Sequence, residues 1–195
     1  MFRRLLSVIL AAFVLTQPTA AAEAATKVTV STSKGDFVIE LWPKRAPGTV
    51  ANFLRYVRDG HYDGTIFHRV IPRFMIQGGG FTVKGGFREK PGRAPIQNEA
   101  DRGNKNAVGT IAMARTPDPH SATAQFFINT ADNAFLDHTA KTSRGWGYAA
   151  FGKVVSGMEV VRAIEAVQTN TVGPMENVPA EPVVIRSIKV TEGGK

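Results

Sequence analysis

The sequence predicts a mainly β domain closed into a barrel, with two helices covering its open ends. Three observations predict it. Short apolar segments recur along the chain, each bounded by glycine, proline or polar turn residues, as in a barrel built from many short strands. Only two stretches carry helical periodicity instead. A length of 195 residues with 43% hydrophobic content and no low-complexity tract suits one domain with a substantial core.

The elements follow in chain order. Residues 1–24 read as a secretory signal peptide: Met1 to Arg4 is basic, Leu5 to Leu15 is almost wholly apolar, and Pro18 precedes Ala20, Ala21 and Ala22. The apolar run falls well short of the ~20 residues that span a bilayer, so no membrane anchor is expected after cleavage. Cleavage after Ala22 and after Ala24 both satisfy a small-x-small rule. The domain proper is then 25–195. Lys27 to Thr32 alternates in type, Gly35-Asp36 marks a turn, and Phe37 to Leu41 is a second strand, which together make a starting hairpin.

From Pro47 to Asp59, Val50, Phe53, Leu54 and Val57 fall at i, i+3, i+4 and i+7, between an early proline and a following Gly60. That is an amphipathic helix. Strands are expected at Ile66 to Val70, Phe74 to Gln77, Thr110 to Ala114, Phe126 to Asn129 and Phe151 to Val155. A second helix follows Gly157, where Met158, Val161 and Ile164 recur at helical spacing, and Val183 to Val190 closes the chain. Phe81 to Gly103 and Arg115 to Ala124 are expected as long surface loops framing a groove, and Gly78-Gly79-Gly80 and Gly85-Gly86 as turns.

Composition excludes several chemistries. With no cysteine there is no disulfide, thiol nucleophile, cysteine-rich zinc site or lipoprotein anchor. His61, His68, His120 and His138 lack metal-ligand spacing, and Ser121 and Ser143 lack a nucleophile-elbow context. Net charge is +8; cleavage after Ala22 removes Arg3 and Arg4 and leaves 22 basic against 16 acidic residues, a net of +6. These charges are scattered and not interleaved with aromatics, so they describe a solvated surface, and no nucleic-acid partner is expected.

The stretch from Tyr62 to Gly79, YDGTIFHRVIPRFMIQGG, gathers an arginine, large apolar groups and an amide around a Pro72-Arg73 bend, with no nucleophile. It resembles the signature of the cyclophilin-type peptidyl-prolyl cis/trans isomerases. Gly109 to Ala114, Ala124 to Ile128, Phe135-Leu136-Asp137 and Phe151 to Val154 resemble further segments of that family in the right order. The likeness extends over roughly Lys27 to Val190. It implies a closed eight-stranded antiparallel β-barrel capped by two α-helices, acting on proline-containing unfolded or flexible polypeptides and resembling the exported, periplasmic bacterial members.

An X-Pro bond is held planar by resonance behind a barrier of ~18–20 kcal/mol. In the twisted state the prolyl nitrogen regains a lone pair, so a donor over the ring binds the transition state more strongly than either planar isomer. The resemblance makes Arg69 that donor, with Gln77 beside it as the second catalytic residue. Phe74, Met75, Phe127 and Leu136 correspond to the proline pocket. Gln125, the backbone of Ala114 and Arg115, Phe135 and Tyr148 correspond to the remaining substrate contacts. No proton moves, so no metal or other cofactor is required.

Phe135 stands where many eukaryotic members have tryptophan, and Tyr148 where they have histidine; the lost indole donor implies weaker cyclosporin binding. Arg115 stands in place of asparagine and suits acidic residues flanking the proline. His68 is assigned to structure or core hydrogen bonding. Taken singly, each apolar pocket residue is also a good core residue. The rival from another class is a chaperone-like module that holds proline segments without turnover, against which the presence of Arg69 weighs. With no coiled coil, extra domain or obvious sticky edge, a monomer is expected.

Overall fold

The computed structural model describes residues 26–191. The expected signal peptide lies outside the described residues. The strands are β1 (Lys27–Thr32), β2 (Gly35–Leu41), β3 (Thr65–Ile71), β4 (Met75–Thr82), β5 (Arg88–Glu89), β6 (Thr110–Met113), β7 (Phe126–Asn129), β8 (Ala150–Ser156), β9 (Thr169–Val172), β10 (Met175–Pro179) and β11 (Val183–Thr191). The helices are α1 (Pro47–Arg58) and α2 (Met158–Glu165), with single 3-10 turns at Ala100–Arg102 and Ala134–Leu136. None of the described helices is long and apolar enough to cross a membrane.

Eight strands pair antiparallel in the order β3-β11-β1-β2-β8-β6-β7-β4, and β4 pairs back onto β3. The sheet is thus a closed barrel without a free edge, as expected. The two-residue β5 hangs on β4, and β9 with β10 forms a separate hairpin. Alternation along β1 and β2 drives Val28, Val30, Phe37 and Ile39 into the interior, each no more than 1% exposed. Helix α1 contributes Val50, Phe53, Tyr56 and Val57 to the same core. Phe53 sits among aromatic rings, with centroids 5.3 Å from Tyr62, 5.8 Å from Phe126 and 5.2 Å from Phe151. Helix α2 adds Val161 and Ile164. Both helices therefore cover the barrel, as their apolar stripes require.

Four sequence expectations need correction. The first hairpin turns at Ser33-Lys34, and Gly35 already pairs with Thr32; Thr32 Oγ1 accepts from the Lys34 N–H and donates to the Gly35 carbonyl, which closes the turn earlier than the glycine suggested. The turn assignment fails for Gly78, Gly79 and Gly80, which lie inside β4. They are there for space: a Cβ would stand 3.0 Å from Phe67 at Gly78, 2.8 Å from Tyr62 at Gly79 and 2.4 Å from Gln125 at Gly80. The segment Phe81 to Gly103 is not wholly a surface loop, because it carries the end of β4, β5 and the buried residues Asn98, Glu99 and Ala100. Finally, the hairpin of β9 and β10 was not anticipated.

The buried Glu99 explains how α1 starts. Its N-cap is Ala46, which has no side chain to satisfy the first N–H groups. Glu99 supplies the acceptors from 50 residues away: Oε1 takes the Gly48 N–H at 3.2 Å, and Oε2 takes both the Thr49 N–H and its hydroxyl at 2.8 Å.

Candidate active site

On β3 and β4, Arg69 faces Gln77 and Ile71 faces Met75 across the ladder. Gln77 in turn faces Phe127 of β7, and Phe127 faces Ala112 of β6. Directly paired residues share a face, so Arg69, Gln77, Phe127 and Ala112 form a row across four strands on the outer surface of the barrel. Simple alternation along β3 would put Phe67 on that face too, yet Phe67 is fully buried in the interior. The register resolves this: Phe67 pairs Gly78 and Arg69 pairs Gln77, which leaves His68 as an extra residue, a bulge. The bulge lets Phe67 point inward and Arg69 outward.

Around that row lies a pocket of about 120 Å³ lined by Arg69, Phe74, Met75, Gln77, Ala114, Arg115, Phe127, Leu136 and Tyr148. Its apolar walls belong to a second cluster, separate from the barrel core, of Met75, Ala112, Phe127, Leu136 and Ala150, with Phe74, Ala114 and Tyr148 packed against it. An apolar cavity of ~150 Å³ accepts a benzene ring, so this one is sized for a single small ring rather than for a length of chain. Phe127 and Tyr148 meet edge to face with centroids 5.7 Å apart. The half-buried Arg69 forms no hydrogen bond or ion pair with any described residue. A guanidinium left unpaired beside apolar walls is a donor held ready.

The polar residues are arranged differently from expectation. Gln77 Nε2 donates to Gln125 Oε1 at 3.0 Å, and Gln125 Nε2 donates to Glu89 Oε1 at 3.3 Å. Gln77 therefore holds Gln125, which lines not the pocket but an adjoining groove with Glu89, Thr116, Ser121 and Thr123. Glu89 escaped the sequence reading because its two-residue strand has no periodicity. Arg115 is committed as well: Nε donates to the Gly147 carbonyl at 3.0 Å, NH1 to the Thr116 carbonyl at 2.9 Å, and its guanidinium lies 4.5 Å from the centroid of Tyr148. It fastens the rim loops together. The Ala114 N–H already donates to the Gln125 carbonyl and is not open to a peptide.

Phe135 does not line the pocket. It is 74% exposed and stacks on Phe74 with centroids 5.6 Å apart, extending the apolar wall outward at the rim. Phe74 follows the Pro72-Arg73 bend, where Arg73 has a φ of 56°. That left-handed residue is held by its N–H donating to Glu165 Oε1 at 2.6 Å, while Arg162 NH1 binds Glu165 Oε2 at 2.8 Å. Burial works to raise the Glu165 carboxyl, but the hydrogen bonds from Arg162 and the Arg73 N–H outweigh it and leave the group below its ordinary value.

His68 is 2% exposed and packs on Phe81 at 4.6 Å, in keeping with a structural role, and its Nδ1 has no hydrogen-bond partner. Burial, reinforced by the charge of Arg69, lowers its pKa to about 4. The imidazole is neutral at pH 7, so Arg69 is the cation of this pair.

Comparison with known proteins agrees with this geometry. The profile of the family described as "Cyclophilin type peptidyl-prolyl cis-trans isomerase/CLD" matches residues 27–190. The chain is 61% identical over 163 residues to "Peptidyl-prolyl cis-trans isomerase cyp18" of Streptomyces antibioticus, covering 84% of this chain and 97% of that one. It is 51% identical over 192 residues to "Peptidyl-prolyl cis-trans isomerase A" of Dickeya dadantii, covering 97% and 98%. Among solved structures it resembles a cyclophilin-type isomerase of Cryptosporidium parvum, with a TM-score of 0.70, 25% identity, and 87% of this chain and 99% of that one covered. A structure of that protein in the presence of the dipeptide Ala-Pro gives a TM-score of 0.68 at 26% identity, covering 85% and 99%.

Proposed function

The chain belongs to the cyclophilin-type peptidyl-prolyl cis/trans isomerases, and we propose that its pocket grips the proline of exported, incompletely folded polypeptides while Arg69 stabilises the twisted bond. Isomerisation breaks no bond, so the site needs only a ring seat and a well-placed donor. The slot formed by Phe74, Met75, Phe127 and Leu136 holds the prolyl ring, and the residue before it rotates. As conjugation is lost, the nitrogen lone pair becomes an acceptor, and the Arg69 guanidinium donates toward it. The donor is worth more to the twisted bond than to either planar isomer, which lowers the barrier itself. Gln77 supports this role indirectly, by holding Gln125 at the neighbouring groove. The exposed Phe135 extends the apolar surface on which the chain lies, and Arg115 shapes the rim.

The observation that carries this reading is the unpaired guanidinium of Arg69 beside an apolar pocket of single-ring size. For export, the support is the leader pattern of residues 1–24. The mature protein is then a periplasmic monomer without an anchor.

The test is cis/trans exchange in a short Ala-Pro peptide followed by NMR, using mature protein recovered from the periplasm. Its first residue, Glu23 or Ala25, reads export directly. Arg69→Ala lowers kcat by about a hundredfold, the usual worth of one transition-state donor, and leaves the fold intact. Full activity in folded Arg69→Ala would remove Arg69 from the mechanism; peptide binding by wild type without faster exchange would make the domain a holding module.

A further inference from the structure

Behind the walls of the pocket runs a chain of three buried asparagine side chains that the isomerisation described above does not use. Asn133 Nδ2 donates to the Phe74 carbonyl at 2.8 Å and to Asn129 Oδ1 at 2.7 Å. Asn129 Nδ2 donates onward to Asn106 Oδ1 at 3.3 Å and to Thr110 Oγ1 at 2.9 Å. Asn106 Nδ2 then reaches the carbonyls of Leu136 and Tyr148 at 3.1 and 3.2 Å. The three side chains are 3%, 0% and 1% exposed, and none has a buried polar atom without a partner.

A buried amide stabilises little over an apolar residue of the same size, because its hydrogen bonds mainly repay its desolvation. What a fully connected amide chain does supply is a single geometry. Here its ends fall on the carbonyls of Phe74, Leu136 and Tyr148, and all three residues line the pocket. They come from the β3–β4 bend, the 3-10 turn at Ala134–Leu136 and the segment before β8, which share no strand pairing; one backbone hydrogen bond, from the Tyr148 N–H to the Leu136 carbonyl at 2.9 Å, joins the last two, and the asparagines add the link to Phe74. We infer that Asn106, Asn129 and Asn133 are positioning residues that tie these three walls together and so set the width of the ring seat.

This inference rests on the pocket being the proline seat, and the experiment separates the two. The ring occupies the seat in both planar isomers and in the twisted state, so a loosened seat loses ground-state and transition-state binding alike. Its signature is a raised KM with kcat retained, opposite to that of Arg69→Ala. In the Ala-Pro exchange assay, Asn133→Ala and Asn129→Ala raise KM by about fivefold and leave kcat within about twofold. Asn133→Ala is the milder cut, because the Phe74 carbonyl keeps the Thr130 N–H at 3.0 Å. Val28→Ala, in the core of β1, serves as a control with a comparable loss of stability and an unchanged KM.

An unchanged KM in the folded asparagine variants, or an equal rise in Val28→Ala, overturns the inference while leaving the proline seat standing. Should the variants not fold, labelled wild type decides. On titration with the Ala-Pro peptide, the side-chain NH2 signals of all three asparagines shift along one binding curve; signals that stay still overturn it. Loss of exchange activity in wild type itself would instead refute the pocket reading.

Discussion

The bulge at His68 gives the site its direction and leaves the molecule an acid-sensitive point. Burial holds the His68 imidazole neutral with a pKa of about 4, while the unfolded chain restores it to about 6.5. Between those values the unfolded state binds more protons, so stability falls as pH drops through that window and is fully present above it. The loss from pH 7 to pH 5 is about 2 kcal/mol for this one residue. His61, also lowered by burial, acts in the same direction. Urea unfolding at pH 7, 6 and 5 checks this: His68→Leu, which also removes the unpaired Nδ1, flattens the slope by about that amount. Parallel slopes in the two proteins would sink the account. At this scale the sequence showed why Arg69 matters, since a cation amid apolar strand residues must face a groove. It could not show the bulge, because nothing in Phe67-His68-Arg69 distinguishes a bulged residue from an alternating one. The outward turn of Phe135 at the rim was not legible either, because it depends on stacking with Phe74, a contact between distant segments. The asparagine chain was invisible for the same reason.

Single elements depend on partners that lie far away in the chain. Helix α1 has a proline near its start and a good apolar stripe, but its cap arrives from Glu99, whose carboxylate accepts from Gly48, Thr49 and the Thr49 hydroxyl. Replacing Glu99 by alanine removes the acceptor of two helix N–H groups, that of the buried Thr49 and that of the more exposed Gly48. The expected cost is about 2 kcal/mol, read from the urea midpoint, with the helical signal of the folded state retained. A change under about 0.5 kcal/mol would mean that water replaces the carboxylate. The helix was legible from Val50, Phe53, Leu54 and Val57; its cap was not, because Glu99 lies in a stretch that reads as a polar loop. The glycines of β4 were misread for a related reason. A glycine run is the local signal of a turn, whereas here it makes room for Phe67, Tyr62 and Gln125. The hairpin of β9 and β10 is mostly exposed, so it shows no burial-driven alternation to detect.

At the level of the whole barrel, closure depends on pairings between the two ends of the chain. β1 lies between β2 and β11, with Lys27 directly opposite Thr191, and β11 also pairs with β3. A count of apolar segments suggests a barrel, but the order in which strands meet is set by these distant pairings, for which periodicity offers no clue. Yet that order has a direct consequence. Because Lys27 and Thr191 face each other at the end of an antiparallel pair, a two-residue Asn-Gly connection can join them as an ordinary hairpin. The chain can then be opened between Gly85 and Gly86, where an added Cβ would meet nothing within 4 Å. The circular permutant keeps every barrel pairing and every residue of the pocket. It folds and accelerates Ala-Pro exchange with kcat/KM within about threefold of wild type. If it fails to fold, the covalent link from β4 to β5 is needed to bring the buried Asn98–Ala100 segment under α1, and barrel closure alone does not suffice.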